Sequence, residues 1–288
     1  MSDPESIVAA KIMQVQSSTW RSDGLSIALV PTMGYLHAGH LSLIKRAHEM
    51  ADRCIVSIFV NPLQFGPNED FSRYPRNIEN DILQLSKGHV DAVFVPTLEN
   101  FYPSDFSTTV DVNTLTEGLC GENRPGHFRG VTTVVSKLFN TCLPHVAVFG
   151  QKDYQQATVI KRMTRDLNWD IDIKIAPTVR EFDGLAMSSR NANLNKKERT
   201  NAPMLYKALC RGQTAIINGE RSATQVRQIV RSFIKEKLTD KIDYVEVIDT
   251  ETLERIKTID RSVVIAAAVR MSKARLIDNV MVLQSDWI

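Results

Sequence analysis

Cysteine is scarce and scattered. Cys54, Cys120, Cys142 and Cys210 are the four among 288 residues, and no two form a CxxC pair. That spacing argues against a cysteine-built zinc site or a disulfide framework. An excess of one charge sign is also missing, since the formal net charge is only +2. Bulk electrostatics therefore advertise neither nucleic acid nor a membrane as a partner. Long apolar runs are absent, and IVSIFV and VVIAAAV are far too short to span a bilayer. The opening MSDPESIVAAKIM has no basic stretch followed by an apolar one, so no secretory leader and a reducing cytoplasmic setting are expected. No Gly-Lys-Ser/Thr closes a P-loop, no GxGxxG occurs, and no HExxH marks a zinc protease. What remains is ordinary for a globular enzyme-sized chain: 43% hydrophobic and 24% charged residues, enough to bury a sizeable core.

The most informative segment is LSIALVPTMGYLHAGHLSLIKRAHEM, Leu25 to Met50. An apolar run, Leu25–Val30, predicts a buried strand. Pro31 and Gly34 mark a turn, and His37, Gly39 and His40 open an amphipathic helix carrying Leu41, Leu43, Ile44 and Ala47. A helix start presents outward backbone N–H groups and positive dipole, which suits phosphate. Two imidazoles there can donate hydrogen bonds to phosphate oxygens and gain a proton as charge develops. HxGH in this setting is the signature of adenylate-forming and nucleotidyl-transferring sites. The plainer alternative is a pair of histidines that only cap and solvate the helix.

Periodicity predicts strands at Leu25–Val30, Cys54–Val60, Val90–Val95, Val146–Phe149 and Ile171–Ile175. Helices are expected at Gly39–Ala51, Ile78–Ser86, Val131–Thr141 and Tyr154–Leu167. β-Branched runs separated by amphipathic helices predict an α/β fold, a Rossmann-like doubly wound parallel sheet of the HxGH nucleotidyltransferase type. Beyond about Asp183, helices at Met204–Ile217 and Thr224–Leu238 precede strands at Tyr244–Ile248, Val263–Val269 and Leu276–Val282, as in a smaller C-terminal α+β domain. The expected domains are residues 1–183, binding nucleotide and substrate, and 184–288, a lid.

Ligands on such sheets bind beyond the carboxyl ends of the strands, where the unusual residues lie. Asn61 and Gln64 flank Pro62 after the second strand, as amides that fix a small polar ligand or as an ordinary polar turn. Tyr74, Arg76 and Asp81 extend this group, and Asp81 is a candidate magnesium contact or a helix cap. Arg124, His127 and Arg129 form a basic cluster that either attracts anions or is solvated. Gly150 ends a strand before Lys152 and Asp153, with Gln156 a turn later on the same helix face. Ser188, Ser189 and Arg190 offer hydroxyls and a guanidinium to phosphates, with Gly184 as a pivot, or they are part of a linker.

PTMGYLHAGH, FVNPLQFG with YPR, RPGHFRGV, VFGQKDYQQ, and PTVRE followed by MSSRN together resemble the pantoate–β-alanine ligase family through nearly the whole chain. The resemblance implies an ATP- and Mg²⁺-dependent ligase that joins (R)-pantoate to β-alanine through pantoyl adenylate, releasing AMP and pyrophosphate. It also implies a cytoplasmic homodimer. ATP would be held by Pro31, Thr32, Met33, Gly34, Tyr35, Leu36, His37, Ala38, Gly39 and His40, by Gly150, Gln151, Lys152 and Asp153, and by Val179, Met187, Ser188, Ser189 and Arg190. His40 would donate a proton, with His37, Lys152, Ser188, Ser189 and Arg190 also catalytic. Gln64, Gln156 and Asn61 would bind pantoate and β-alanine. Gln151 stands where the family more often has Glu, and Met187 where Leu is also common. Two rivals share part of the pattern: a nucleotidyltransferase acting on a phosphate acceptor, and a nucleotide sensor without turnover.

Overall fold

In the computed structural model, which describes residues 4–67 and 69–287, the elements run β1 (Glu5–Ile7), α1 (Ala10–Ser22), β2 (Ile27–Thr32), α2 (Ala38–His48), β3 (Arg53–Ile58), α3 (Ile78–Lys87), β4 (Ala92–Phe94), α4 (Leu98–Phe101), α5 (Cys120–Asn123), α6 (His127–Cys142), β5 (Val146–Gly150), α7 (Tyr154–Asp166) and β6 (Asp172–Ala176). They continue as α8 (Lys196–Asn201), α9 (Met204–Ile217), α10 (Ala223–Lys237), β7 (Ile242–Asp249), β8 (Val263–Arg270) and β9 (Arg275–Val282). The chain forms two compact units. One contains residues 4–113, 124–150 and 156–177; the other contains 114–123, 151–155 and 178–287.

The first unit is built on a six-stranded sheet of order β1-β4-β3-β2-β5-β6, parallel at every pairing. Its strands read as continuous apolar runs because both faces are covered. Ile27 and Leu29 of β2 face a core layer with Met13 of α1, Val135 and Leu138 of α6, and Ile160 of α7. Ala28 and Val30 face the opposite layer, with Leu43 and Ile44 of α2 and Leu85 of α3. Several short elements lie outside the periodicity reading, and so do β1 and α1. β1 has three residues and only Ile7 is buried. α1 buries only Met13 and Ser17 while Ile12 and Val15 stay exposed, so its apolar positions form no stripe for a pattern to detect.

The second unit has a three-stranded antiparallel sheet, β7-β8-β9. Val245, Val247, Ile265, Leu276 and Val280 pack with Leu205 and Leu209 of α9 and Val230 and Ile234 of α10. Side chains alternate along a strand, so Tyr244 and Asn279 lie on the other face. That face meets two short excursions of the chain. Cys120 lies 3.2 Å from the Tyr244 hydroxyl, and the Tyr154 hydroxyl donates to the Thr250 carbonyl at 2.8 Å.

Candidate functional site

Strand order reverses at β2, whose neighbours are β3 on one side and β5 on the other. This is the switch point of the first unit, and open α/β sheets bind their ligands at such a point, beyond the carboxyl ends of the strands. The loop leaving β2 passes through two consecutive left-handed residues, Gly34 at φ 80° and Tyr35 at φ 52°. The second is strained for a residue with a side chain. Asp81 of α3 holds this turn. Its carboxylate accepts the Tyr35 amide at 2.8 Å and the Leu36 amide at 2.7 Å, and only 1% of the residue is exposed. A Cβ on Gly34 would come within 2.9 Å of the same carboxylate. Both carboxylate oxygens of Asp81 are thus committed to backbone amides. The residue is a buried clamp on the histidine loop, and among the described residues no group of three or more His, Cys, Asp or Glu could hold a metal ion.

His37 is the N-cap of α2. Its Nδ1 accepts the Gly39 amide at 3.1 Å, while Nδ1 of His40 accepts the His37 amide at 3.3 Å. The two rings lie 4.0 Å apart between centroids. With both Nδ1 atoms accepting backbone N–H, each neutral ring carries its proton on Nε2. Helix capping thus sets the tautomer that donates from the far edge of each imidazole, at the positive end of α2.

The amides predicted after β3 also come together in this unit. Asn61, 1% exposed, donates from Nδ2 to Oε1 of Gln64 at 3.2 Å and to the Gly130 carbonyl at 3.0 Å. Its Oδ1 accepts from the Tyr102 hydroxyl at 3.1 Å. Burial raises the ionisation point of that hydroxyl and keeps it a donor. Gln64, 8% exposed, points Nε2 at the Met33 sulfur, 2.8 Å away. Asn61 is the brace, and Gln64 is the amide it orients beside the histidine loop. Gln156 lies half-buried in α7.

The basic cluster is occupied internally. Arg124 forms a paired salt bridge with Glu69 at 2.6 Å for each hydrogen bond and donates to the Gln64 carbonyl at 3.2 Å. His127 Nδ1 lies 2.8 Å from that same carbonyl, and Arg129 pairs with Asp111. Burial pushes the Glu69 carboxyl up, but the Arg124 hydrogen bond and charge outweigh it and leave the group below its ordinary value. Gly130, one turn into α6, completes the clasp, because a Cβ there would overlap the Leu63 carbonyl and the Gln64 amide. A glycine inside a helical motif was the available sign of such close approach. Arg124 and His127 gave no sign of their partners.

Gly150 ends β5 in the first unit, and the second unit carries the remaining predicted residues in two turns. Gln151–Asp153 is a single 3-10 turn, with Lys152 Nζ 3.5 Å from the Asp153 carboxylate. From Val179 to Arg190 the chain folds back on itself. The Met187 amide donates to the Val179 carbonyl at 3.0 Å, and Glu181 pairs with Leu185. Gly184 makes the bend at φ 96°, with no room for a Cβ against the Tyr206 ring. Ser188 caps the next turn by accepting the Arg190 amide at 3.3 Å, and Ser189 is buried.

Residues 6–281 match the family model described as Pantoate-beta-alanine ligase. A pantothenate synthetase of Thermotoga neapolitana is 53% identical over 267 residues, 93% of this chain and 95% of that protein. One of Moorella thermoacetica is 55% identical over 266 residues, 92% of this chain and 94% of that protein. The crystal structure of pantothenate synthetase from Thermus thermophilus superposes with a TM-score of 0.90 at 40% identity, covering 96% of this chain and 98% of that one. The pantoate-beta-alanine ligase from Francisella tularensis, complexed with beta-gamma ATP and beta-alanine, superposes with a TM-score of 0.77 at 32% identity, covering 96% of this chain and 97% of that one.

Proposed function

The chain belongs to the pantoate–β-alanine ligase family, and from that premise we propose which of its residues carry the reaction. It is an ATP-dependent ligase that condenses pantoate with β-alanine through an acyl adenylate. A carboxylate is a poor acyl donor to an amine because oxide would have to leave. Pantoate's carboxylate oxygen first attacks the α-phosphorus, and pyrophosphate departs. The β-alanine nitrogen then attacks the acyl carbon, AMP departs, and the amine's proton is released.

The single observation that carries the assignment of residues is the histidine pair at the start of α2, with both Nδ1 atoms tied to backbone amides. Nε2–H of His40 donates to the phosphoryl oxygens as negative charge gathers in the adenylating step, and His37 assists. Pro31 to His40 and Gly150 of the first unit bind ATP. So do Gln151, Lys152, Asp153, Val179, Met187, Ser188, Ser189 and Arg190 of the second, with Lys152 and Arg190 meeting phosphate charge. Gln64, braced by Asn61, and Gln156 bind pantoate, and Gln64 also reaches β-alanine. Positioning and charge stabilisation dominate, and no covalent enzyme intermediate is required. Magnesium would be held by the triphosphate oxygens and would neutralise their charge, while the Asp81 carboxylate stays on the loop amides. No described helix is long and apolar enough to cross a membrane. A cytoplasmic homodimer is part of this proposal.

Pyrophosphate–ATP exchange tests it. With β-alanine absent, exchange should require pantoate, and His40→Ala should abolish it while leaving the circular-dichroism spectrum unchanged. Exchange without pantoate would point to a different acceptor. ATP binding with no exchange would point to a sensor, and near-normal exchange in His40→Ala would remove His40 from the mechanism.

A further inference from the structure

After Arg275, the apolar run of β9 is interrupted by two adjacent polar residues, Asp278 and Asn279. They are 4% and 3% exposed. Being adjacent, they face opposite sides of the sheet, and each reaches a different turn of the second unit. Asp278 takes the Arg180 guanidinium in a paired salt bridge at 2.7 and 3.0 Å. Arg180 in turn donates to the Gly184 carbonyl at 3.1 Å and lies 3.5 Å above the Tyr206 ring. Asn279 faces the other way, and its Nδ2 donates to the carbonyls of Gln151 at 2.9 Å and Lys152 at 3.0 Å.

Two successive carbonyls converging on one nitrogen require an NH₂ group. Turned end for end, the side chain would oppose its own oxygen to both. Oδ1 is buried without a hydrogen-bond partner among the described residues, so Asn279 is held for its donor end at the expense of its acceptor. A 3-10 turn at the start of a helix has poorer hydrogen-bond geometry than the helix it leads into, here α7. The two Asn279 hydrogen bonds add a tether that helps to fix the direction in which Lys152 leaves the backbone.

We infer that Asn279 is a positioning residue for the ligation, acting through Lys152, and that the Asp278–Asn279 pair on β9 fixes the Lys152 turn and the Arg180–Gly184 turn from one strand. The inference rests on the reading of Lys152 as a phosphate contact. Asn279 is not expected to touch substrate.

The test is a cycle of Asn279→Ala, Lys152→Ala and the double variant, read by pyrophosphate exchange against ATP concentration. Asn279→Ala should lower kcat/KM for ATP about tenfold with the KM for pantoate unchanged, and it should add nothing once Lys152 is alanine. Asn279→Asp keeps the shape but sets oxygen against two carbonyls, so it should be at least as impaired as Asn279→Ala. Asn279→Ser retains one donor and should recover part of the loss; it also serves the test should Asn279→Ala fail to fold. If Lys152→Ala is harmful but Asn279→Ala has no effect, or if the two losses simply multiply, the positioning inference fails while the site assignment stands. If Lys152→Ala is itself without effect, the site reading fails and the inference with it.

Discussion

Replacing Asp81 with asparagine probes the clamp on the histidine loop. The carboxylate holds the Tyr35 and Leu36 amides at 2.8 and 2.7 Å, and asparagine can accept only one of them with its oxygen. The other amide then faces an NH₂ group in a site where the residue is 1% exposed. A hydrogen bond to a charged partner contributes about 1.5–3 kcal/mol. Losing one outright and weakening the second to a neutral bond should cost about 3 kcal/mol. At roughly 2–4 °C per kcal/mol for a chain of this class, the melting temperature should fall by about 6–12 °C. The left-handed Tyr35, at φ 52°, stores roughly 1–2 kcal/mol of its own, so the weakened turn relaxes away from that conformation. His37 and His40 follow the loop, and the KM for ATP should rise with the loss of stability. Urea unfolding and pyrophosphate exchange measure the two effects on one preparation. An unchanged urea midpoint with an unchanged KM for ATP would refute the clamp. Unchanged stability with a raised magnesium requirement would restore Asp81 as a metal contact.

Gly130→Ala should force α6 off the Leu63–Gln64 backbone, costing about 1–3 kcal/mol by overpacking and raising the KM for pantoate; a variant with both unchanged would show that the close approach is dispensable. Gln64→Ala should weaken pantoate binding more than ATP binding in titration calorimetry, and equal losses would count against its assignment. Glu69→Gln addresses pH. The Glu69 carboxyl ionises below its ordinary value of 4.5 in the folded chain, so its contribution is complete above that value and disappears as pH falls through the lowered one. The gap in urea midpoint between wild type and variant should therefore close on acidification, whereas a gap that widened would reverse the sign.

The parts legible in the sequence share one property: their signal is local. β2 and β3 read as continuous apolar runs because both faces are buried, and the HxGH pattern marks a helix start within ten residues of its strand. The unread parts depend on partners far along the chain. The Asp81 carboxylate meets amides 45 and 46 residues away, and Glu69 meets Arg124 across 55. Alone, Asp81 reads as a magnesium contact or a helix cap, and Arg124 as part of an anion site or a solvated cluster. Asn279 was concealed in a strand pattern, although two adjacent polar residues between apolar neighbours were a sign that burial had to be compensated.

The excursions that meet the second sheet have a consequence for synthesis. Cys120 precedes Tyr244, the residue it packs on, by 124 positions. At about 5–20 residues per second on the ribosome, it waits roughly 6–25 s for that partner to be made. During this interval Cys120, buried in the finished protein, has no strand to cover. The cover is thus translated before the surface it covers. A gene divided after codon 177 would put them in separate products, and the second would make its sheet with one face stripped of the segments that belong on it.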